Sequence, residues 1–250
     1  MTSSQVEHPL VSVVIPMFQS AEWIGATLAT VEAQTYPLLE TIVVDDGSTD
    51  QGSEVVAEFA SSCERPVRLV RTTNRGVAAA RNTGITESAG DFVALLDADD
   101  LWQPRKLELQ VARLEASGAP MCTCGYEFFD DRTGRRTGVV RVEDGSNALE
   151  GWLSLEGNGL ALASAALISR AALEELRLFN SEFSVSADLE FALRIADLGH
   201  LDSVPETLVR YRLHPRQMHR QVGGLDGDVG VLYDRVFAKK RNPSLERRCR

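Results

Sequence analysis

The sequence predicts an α/β protein built on a mostly parallel sheet, and three patterns support this prediction. Short apolar runs typical of buried strands alternate with amphipathic stretches up to residue 117. The links between them are short, which favours right-handed crossovers between parallel strands. Two apolar runs end in aspartates, at 45–46 and 97–100. Because ligands of open parallel sheets bind at the carboxyl ends of strands, both clusters are expected at a binding site.

Four strands and four helices are predicted in this first part of the chain. The strands are expected at 10–15, 41–44, 67–70 and 92–96, the first of them ending before Pro16. The helices are expected at 21–34, 51–60, 77–87 and 104–116. Ser20 is the predicted N-cap of the first helix, because a serine oxygen can accept from the free N–H groups there.

Beyond residue 118 the pattern becomes mixed and rich in loops. Apolar runs at 121–129 and 135–142 around a polar turn at 130–134 predict a hairpin. Further elements are expected at 160–168 (a strand or a strand–helix junction), 187–198 (a helix closed by Gly199), 208–213 (a strand) and 229–238 (a helix). The predicted organisation is a tail (1–8), two halves of one domain (9–117 and 118–222) and a C-terminal helix with a basic tail (223–250).

Charge and hydropathy exclude several classes of function. The formal charge is −10 for 250 residues, which argues against nucleic-acid binding because that requires a basic face. No apolar run approaches the roughly 20 residues of a membrane helix, and the N-terminus has no signal-peptide pattern. Basic residues crowd 239–250. This segment is expected to be a solvated end, with peripheral contact to anionic lipid as the alternative.

The cysteines indicate a reducing compartment. Cys122 and Cys124 are separated by one residue on a predicted strand, a spacing that suits neither a disulfide nor a metal site. We expect both to be reduced thiols in the core of a cytoplasmic protein.

The first acidic segment, Asp45-Asp46-Gly47-Ser48, has two interpretations. It can be a simple strand-to-helix turn, because Asp and Ser cap helices and Gly permits tight turns. It can also bind a nucleotide, because a carboxylate at this edge accepts hydrogen bonds from a uracil N–H or a ribose hydroxyl.

The second acidic segment, 97–100, points more strongly to a ligand. Asp97 and Asp99 alternate at a strand end and can converge on different parts of one molecule. Carboxylate oxygens suit Mg²⁺ or Mn²⁺, which complete their shell with diphosphate oxygens. The alternative is a capping turn before the helix at Pro104, but three unpaired carboxylates there would repel one another.

Three further residues have both a structural and a functional interpretation. Arg81 can be a surface residue or can hold a diphosphate near a helix N-terminus. Asp188 can be an ordinary acid favoured by the helix dipole or a general base for an acceptor hydroxyl. His214 can be a satisfied polar residue or part of a cationic patch that faces a diphosphate. The other members of that patch would be Arg210, Arg212, Arg216, His219 and Arg220.

Together these segments resemble the inverting family-2 glycosyltransferases of the GT-A fold. The resemblance covers residues 9–215. Its motifs, in the family's order, are 11–16, 44–50, 74–76, 80–85, 96–100, 188–194 and 211–214.

The resemblance implies a GT-A fold, a donor and a set of roles. Residues 9–117 would bind a nucleoside-diphosphate sugar, expected to be a UDP-sugar. Residues 118–222 would bind a hydroxyl acceptor on a glycan, a lipid-linked molecule or a small molecule. The nucleotide would be held by the backbone at Pro16 and by Asp46, Arg81 and Asp97; Mn²⁺ or Mg²⁺ would be held by Asp99 and His214; and Asp188 would be the catalytic base.

The chain departs from the family's pattern beside the base. The family usually has Glu-Asp there, often followed by an aromatic residue, whereas this chain has Ala187-Asp188-Leu189. The departure affects the acceptor class more than the reaction. Glu190 is the reserve candidate for the base, although two positions along a helix should direct it elsewhere.

Two rival functions are considered. A sugar-1-phosphate nucleotidyltransferase normally has a Gly-rich, Arg-bearing loop after its first strand, but residues 16–20 contain neither glycine nor a basic residue. A non-catalytic nucleotide- or glycan-binding protein would fit Ala187 and Leu189. The retained Asp97, Asp99, Asp188 and His214 argue against it.

Overall fold

The computed structural model describes residues 8–143, 162–183 and 187–217. The first half contains β1 (Val11–Met17), α1 (Ile24–Glu32), β2 (Leu39–Asp46), α2 (Gly52–Ser62), β3 (Val67–Thr72), α3 (Val77–Glu87), β4 (Phe92–Leu95), β5 (Leu101–Trp102) and α4 (Lys106–Ser117). The second half contains β6 (Met121–Asp130), β7 (Arg136–Val140), α5 (Leu162–Ala165), β8 (Leu167–Ser169), α6 (Arg170–Glu175), α7 (Ala187–Ile195) and β9 (Asp202–Leu213). The predicted α/β class is confirmed.

The strands described form one sheet in the order β3-β2-β1-β4-β8-β6-β9-β5, with β7 paired to β6. The first four positions in this order are all parallel pairs. Beyond β4 the pairing is mixed, since β8 is antiparallel to β4 and β6, whereas β6 and β9 run parallel. The sheet therefore continues across residue 118, where the sequence pattern changes.

Side chains on both faces of β1 are buried. Val11, Val13 and Ile15 join the apolar core on one face, and Val14 joins a second apolar cluster on the other. Successive residues of a strand point to opposite faces, and strands covered by helices on both faces lack a polar alternation. This is why the strands appear in the sequence as continuous apolar runs.

Pro16 does not end the first strand, contrary to the prediction. β1 continues to Met17, and Pro16 pairs in register with Val44 of β2. On the other side, the Val14 carbonyl accepts from Leu96 N at 3.0 Å, and β4 has already ended at Leu95. Pro16 therefore stands where no neighbouring strand needs its missing N–H, a position that tolerates proline.

The predicted cap of the first helix is also wrong. The Ser20 hydroxyl donates to the carbonyl of Phe18 at 3.0 Å, and α1 begins only at Ile24. The free N–H of Ala21 instead donates to Asp50 Oδ2 at 2.9 Å. A carboxylate 29 residues away in sequence thus accepts the hydrogen bond of a backbone N–H group before α1.

The remaining boundaries differ from the predictions in a few places. Helix α3 matches its predicted range, but α7 ends at Ile195, before the predicted Gly199 closure. The sequence did not indicate β5, which has two residues, or the six-residue helix α6. Periodicity cannot be recognised in such short elements. The helix predicted at 229–238 and the basic tail lie outside the described residues.

Cys122 and Cys124 are buried on β6 and form no disulfide, as predicted. Among the described helices, none is both long and apolar enough to cross a bilayer.

Candidate active site

The predicted site residues lie at the carboxyl edge of the parallel strands. β2 ends in Asp45 and Asp46, and Asp97 lies two residues beyond the end of β4. The strand order reverses between β1 and β4, and such a reversal leaves a crevice outside the strand ends. The end of β9 brings His214 to the same edge, where it contacts Asp99.

Asp45 organises its own loop. Its side chain is 1% exposed and accepts hydrogen bonds from the Ser48 N–H at 2.8 Å and from the Ser53 hydroxyl. Burial opposes ionisation of Asp45, but the hydrogen bonds from Ser48 and Ser53 outweigh it and lower its pKa. Asp45 is therefore an ionised, structural carboxylate.

Asp46 holds the loop before α3. Its carboxylate accepts from the backbone N–H of Arg75 at 2.9 Å and of Gly76 at 2.7 Å. Gly47 adopts φ +77°, and a Cβ there would lie 2.8 Å from the backbone nitrogen of Asn74. The two loops at the edge of the sheet are thus joined closely. The proposed contact of Asp46 with a nucleobase stays a prediction.

The loop after β1 contributes two residues that the sequence reasoning did not single out. Gln19 has φ +52°, and its Oε1 accepts from the N–H groups of Thr49 and Asp50, both at 3.1 Å. Phe18 is 49% exposed beside it. An aromatic residue directly after a strand that leads to a predicted nucleotide site was the available signal, because aromatic rings stack on bases.

Each carboxylate of the 97–100 cluster has its own partner. Asp97 Oδ1 lies 2.7 Å from Arg81 Nη2, and Asp99 Oδ2 lies 2.8 Å from His214 Nε2. Asp100 is fully buried and accepts from the Ser164 hydroxyl at 2.6 Å. The argument that three unpaired carboxylates would disfavour a capping turn here therefore does not apply, since each has a partner from a distant part of the chain.

The environment of Asp100 favours its protonated form. Burial raises the pKa of Asp100 well above its usual value, and the nearby charges of Asp99 and Asp97 add to the rise. Its Oδ1 also accepts from the Arg212 N–H at 3.1 Å. The Asp100 carboxyl group thus links the acidic loop to β9 by a hydrogen bond, while the side chains of Asp97 and Asp99 are 26% and 25% exposed.

Arg81 joins the two halves of the site. Its side chain is 4% exposed, and its Nη1 group donates to Asp188 while Nη2 donates to Asp97. The Arg81 Nε is buried without a hydrogen-bond partner among the described residues. The interpretation of Arg81 as a surface residue is wrong. Its predicted contact with the nucleotide stays a prediction.

Asp188 lies at the start of α7 in a partly apolar setting. Its side chain is 21% exposed and borders a cavity of about 10 Å³ lined by Leu95, Phe179 and Phe191, among others. Burial raises the pKa of Asp188 to about 6, Arg81 opposes this rise, and the Asp97 charge adds to it. Near neutral pH, Asp188 is an ionised carboxylate with greater proton affinity than an ordinary aspartate.

Glu190 is not positioned as an alternative base. It is 8% exposed, and both of its oxygens accept from Arg194, at 2.9 and 2.8 Å. Two positions from Asp188, it points elsewhere, as expected for an α-helix.

His214 is held by contacts on both ring nitrogens. Nδ1 accepts from the Arg216 N–H at 3.2 Å, so Nε2 carries the proton and donates to Asp99. The imidazole also packs on the Trp23 indole with ring centroids 3.9 Å apart. These contacts fix the ring beside the acidic loop.

The described arginines do not support the predicted cationic patch around His214. Each arginine of the patch within the described residues has a carboxylate partner: Arg210 pairs with Glu127, Arg212 with Asp131 and Arg216 with Glu22. His219 and Arg220 lie outside the described residues. The acidic composition of the chain thus neutralises the patch locally.

The donor set at Asp99 and His214 fits a divalent cation that completes its shell elsewhere. Their facing atoms are 2.8 Å apart, close to the roughly 3.0 Å that separates adjacent ligands at 2.1 Å in an octahedral shell. Ligation through Nε2 would move the His214 proton to Nδ1. No group of three or more His, Cys, Asp or Glu side chains arranged for a metal occurs in the described parts of the chain. A cation here would therefore need further oxygen ligands, from water or from a diphosphate.

The fold and the arrangement of this edge define the chain as a GT-A type protein, the class of glycosyltransferases that carry a nucleotide-binding parallel sheet. Residues 12–177 match the model of Glycosyl transferase family 2. The chain belongs to this family.

Similar proteins include both curated sequences and solved structures. Escherichia coli "UDP-Glc:alpha-D-GlcNAc-diphosphoundecaprenol beta-1,3-glucosyltransferase WfgD" is 34% identical over 124 residues, which are 50% of this chain and 48% of WfgD. S. aureus TarS 1-349 in complex with UDP-GlcNAc superposes with a TM-score of 0.74 at 19% identity, over 91% of this chain and 65% of that chain. The mannosyltransferase PcManGT from Pyrobaculum calidifontis, in complex with GDP-Man and Mn²⁺, has a TM-score of 0.67 at 24% identity, over 86% and 60%.

The chain spans less than two thirds of the length of each of these proteins. The two structures show the fold, at identities below 25%.

Proposed function

We propose that the chain transfers a sugar from a nucleoside-diphosphate sugar to an acceptor hydroxyl with inversion at the anomeric carbon. The observation that carries this proposal is the position of Asp188. A partly exposed carboxylate of raised pKa shares Arg81 with Asp97, which follows the parallel strand β4. The proposed base, Asp188, and the proposed donor-site residue, Asp97, therefore lie on either side of the Arg81 guanidinium.

Asp188 acts as the general base. A carboxylate with a pKa of about 6 is ionised near neutral pH and takes up a proton more readily than an ordinary aspartate, which suits a base. It removes the proton from the acceptor hydroxyl as the hydroxyl oxygen attacks the anomeric carbon. The bond to the diphosphate breaks on the opposite face, so a single displacement inverts the configuration.

The donor occupies the edge between β1 and β4. The exposed ring of Phe18 offers a stacking surface for the nucleobase, next to the backbone at Pro16 and the loop that Asp46 holds. Asp97 retains 26% exposure and accepts a hydrogen bond from the ribose. WfgD is named as a glucosyltransferase that uses UDP-Glc, and TarS is known in complex with UDP-GlcNAc, which supports a uridine nucleotide as the first donor to test.

Asp99 and His214 would hold a divalent cation, Mn²⁺ or Mg²⁺. When bound, it supplies positive charge against the leaving diphosphate. The presence of Mn²⁺ with GDP-Man in the mannosyltransferase structure supports this assignment.

Calorimetric titration of UDP, GDP and dTDP tests the donor site. Each nucleotide is titrated with Mn²⁺ or Mg²⁺ and then with EDTA present. We expect one diphosphate to bind in the presence of metal and to lose affinity in EDTA. The bound nucleotide then selects the sugar nucleotides for a transfer assay.

Two outcomes would overturn the proposal. Folded protein that binds none of the three diphosphates has no donor site of this kind. Release of pyrophosphate from a nucleoside triphosphate and a sugar phosphate would instead make the chain a nucleotidyltransferase.

A further inference from the structure

The segment Arg177–Phe179 is fastened to α3 by Asn82. The Asn82 Nδ2 donates to the Phe179 carbonyl at 2.8 Å, and its Oδ1 accepts from the Phe179 N–H at 2.8 Å. One side chain thus satisfies both backbone groups of Phe179. Because hydrogen bonds are directional, the two together constrain the orientation of the Phe179 backbone as well as its distance from Asn82.

The ring of Phe179 contacts α7. It stacks on Phe191 with ring centroids 4.1 Å apart and an interplanar angle of 27°. Both side chains are buried, at 4% and 2% exposure. Phe191 lies three residues after Asp188, so both side chains project from the same side of α7. A shift of the Phe179 ring therefore moves the part of the helix that carries Asp188.

The same segment is held from the other side by α7 itself. Arg194 donates to the carbonyl of Leu178 at 3.0 Å and to that of Arg177. Its guanidinium is oriented by Glu190, one turn earlier. The segment is thus clamped between Asn82 of α3 and Arg194 of α7.

We propose that Asn82 is a positioning residue that holds the Asp188 carboxylate in place through Phe179 and Phe191. The inference rests on the proposed function of Asp188 as the base. Asn82 itself touches no reacting atom. Arg81, the preceding residue, contacts the Asp188 carboxylate directly, and its guanidinium also lies over the Phe179 ring, 5.6 Å from the ring centroid.

Loss of the hydrogen bonds between Asn82 and Phe179 is expected to change the surroundings of Asp188. The charged or titratable groups that act on its carboxylate are Arg81 from α3, Asp97 after β4 and Tyr211 from β9. Burial is the largest cause of the raised pKa. When the Phe179 ring moves away, water reaches Asp188 and this cause weakens.

The Asn82→Ala variant removes both hydrogen bonds, and Thr83→Ala is its matched control. Thr83 lies on the same turn of α3, and its hydroxyl donates to Ala79 of its own helix. The readout is the titration of the Asp188 carboxyl carbon by ¹³C NMR, with the signal assigned from Asp188→Asn. In Asn82→Ala we expect the pKa to fall from about 6 by at least about 0.5. We expect Thr83→Ala to keep the wild-type value.

A second readout separates positioning from general damage. The affinity for the diphosphate that binds most tightly among UDP, GDP and dTDP should stay within twofold in Asn82→Ala, while turnover in the transfer assay falls at least tenfold. Should Asn82→Ala not fold, Phe191→Leu removes the ring stack but keeps an apolar side chain, and the same changes are expected.

An unchanged Asp188 pKa in folded Asn82→Ala would overturn the inference, and so would equal losses of diphosphate affinity and turnover. The titration needs no substrate. Failure of the proposed function, seen as wild-type turnover in Asp188→Asn, is therefore distinguishable from failure of the positioning role.

Discussion

The carboxylate of Asp188 receives a hydrogen bond from Arg81, a side chain that is 4% exposed and that also donates to Asp97. One buried cation therefore serves the proposed base and the proposed donor site together. The two residues lie 107 positions apart in sequence, so the contact joins α3 to α7.

Replacement of the base should separate chemistry from binding. In Asp188→Asn we expect turnover to fall by about 10²–10⁴, the usual contribution of a general base, because the amide cannot accept the acceptor's proton. Affinity for the nucleoside diphosphate should stay close to wild type. Initial rates and calorimetry on the same preparation measure both. Wild-type turnover in this variant would remove Asp188 from the mechanism.

The pH dependence of turnover should report the environment of Asp188. Its carboxyl is protonated below a pKa of about 6 and cannot act as a base there, so turnover rises as pH increases through that value. An ordinary aspartate would place this limb near pH 4. Values of kcat/KM for the acceptor between about pH 4.5 and 8 locate the limb, because kcat/KM reports the pKa of the free enzyme. The limb should be absent from the residual activity of Asp188→Asn.

Removal of the shared cation should destabilise the fold. Arg81→Met leaves Asp97 and Asp188 without their counterion, and we expect a loss of about 3 kcal/mol in the free energy of unfolding. This is the low end for a broken buried pair, because the two carboxylates remain 26% and 21% exposed. Arg68→Met, which breaks the exposed pair with Glu87, is the control and should cost under about 1 kcal/mol. Similar losses in urea titrations of the two variants would contradict the burial argument.

The assignment of Asp99 as a metal ligand predicts that its replacement removes the metal dependence of diphosphate binding. Asp99→Ala removes the carboxylate that faces His214, so the diphosphate should bind with the same weak affinity in Mn²⁺ and in EDTA. Glu58→Gln, on the exposed surface of α2, controls for the change in net charge and should keep the dependence on metal. Binding that still responds to Mn²⁺ in Asp99→Ala would make the ligand assignment wrong.

The two loops at the edge of the sheet should depend on Gly47. A residue with a Cβ at φ +77° costs about 1–2 kcal/mol, and here the Cβ would also lie 2.8 Å from Asn74 N. Gly134 has φ +67° but no neighbour within 4 Å, so Gly134→Ala isolates the cost of the backbone conformation. We expect Gly47→Ala to lower the urea midpoint further than Gly134→Ala. Equal midpoints would show that the loops can move apart freely.

Much of the parallel half of the fold was predictable from local sequence. The range of α3 was predicted correctly, and β1 to β4 lie at the predicted apolar runs, because runs of this length and the loops between them carry their own signals. The predictions were wrong where residues distant in sequence determine the local structure. Pro16 is tolerated within β1 because β4 has already ended at Leu95, and Asp50 replaces the predicted Ser20 cap.

The site residues were recognisable as types, but their relationships were not. The sequence predicted that Asp97, Asp99, Asp188 and His214 belong to one site. It did not indicate that Arg81 is buried, that Arg210 is neutralised by Glu127, or that Asn82 fastens Phe179. Each of these depends on a partner that local patterns do not connect.

The sequence by itself determined the α/β class, the positions of the first four strands along the chain and the acidic residues at the end of β2 and after β4, since these follow from apolar periodicity and turn-forming residues over short stretches. Only the tertiary structure decided which cation meets which carboxylate. Arg81 and Asp188 are 107 residues apart, and Asp99 and His214 are 115 apart. Charge interactions depend on distance in space and on exclusion of water, and both quantities exist only once the two halves of the sheet have assembled.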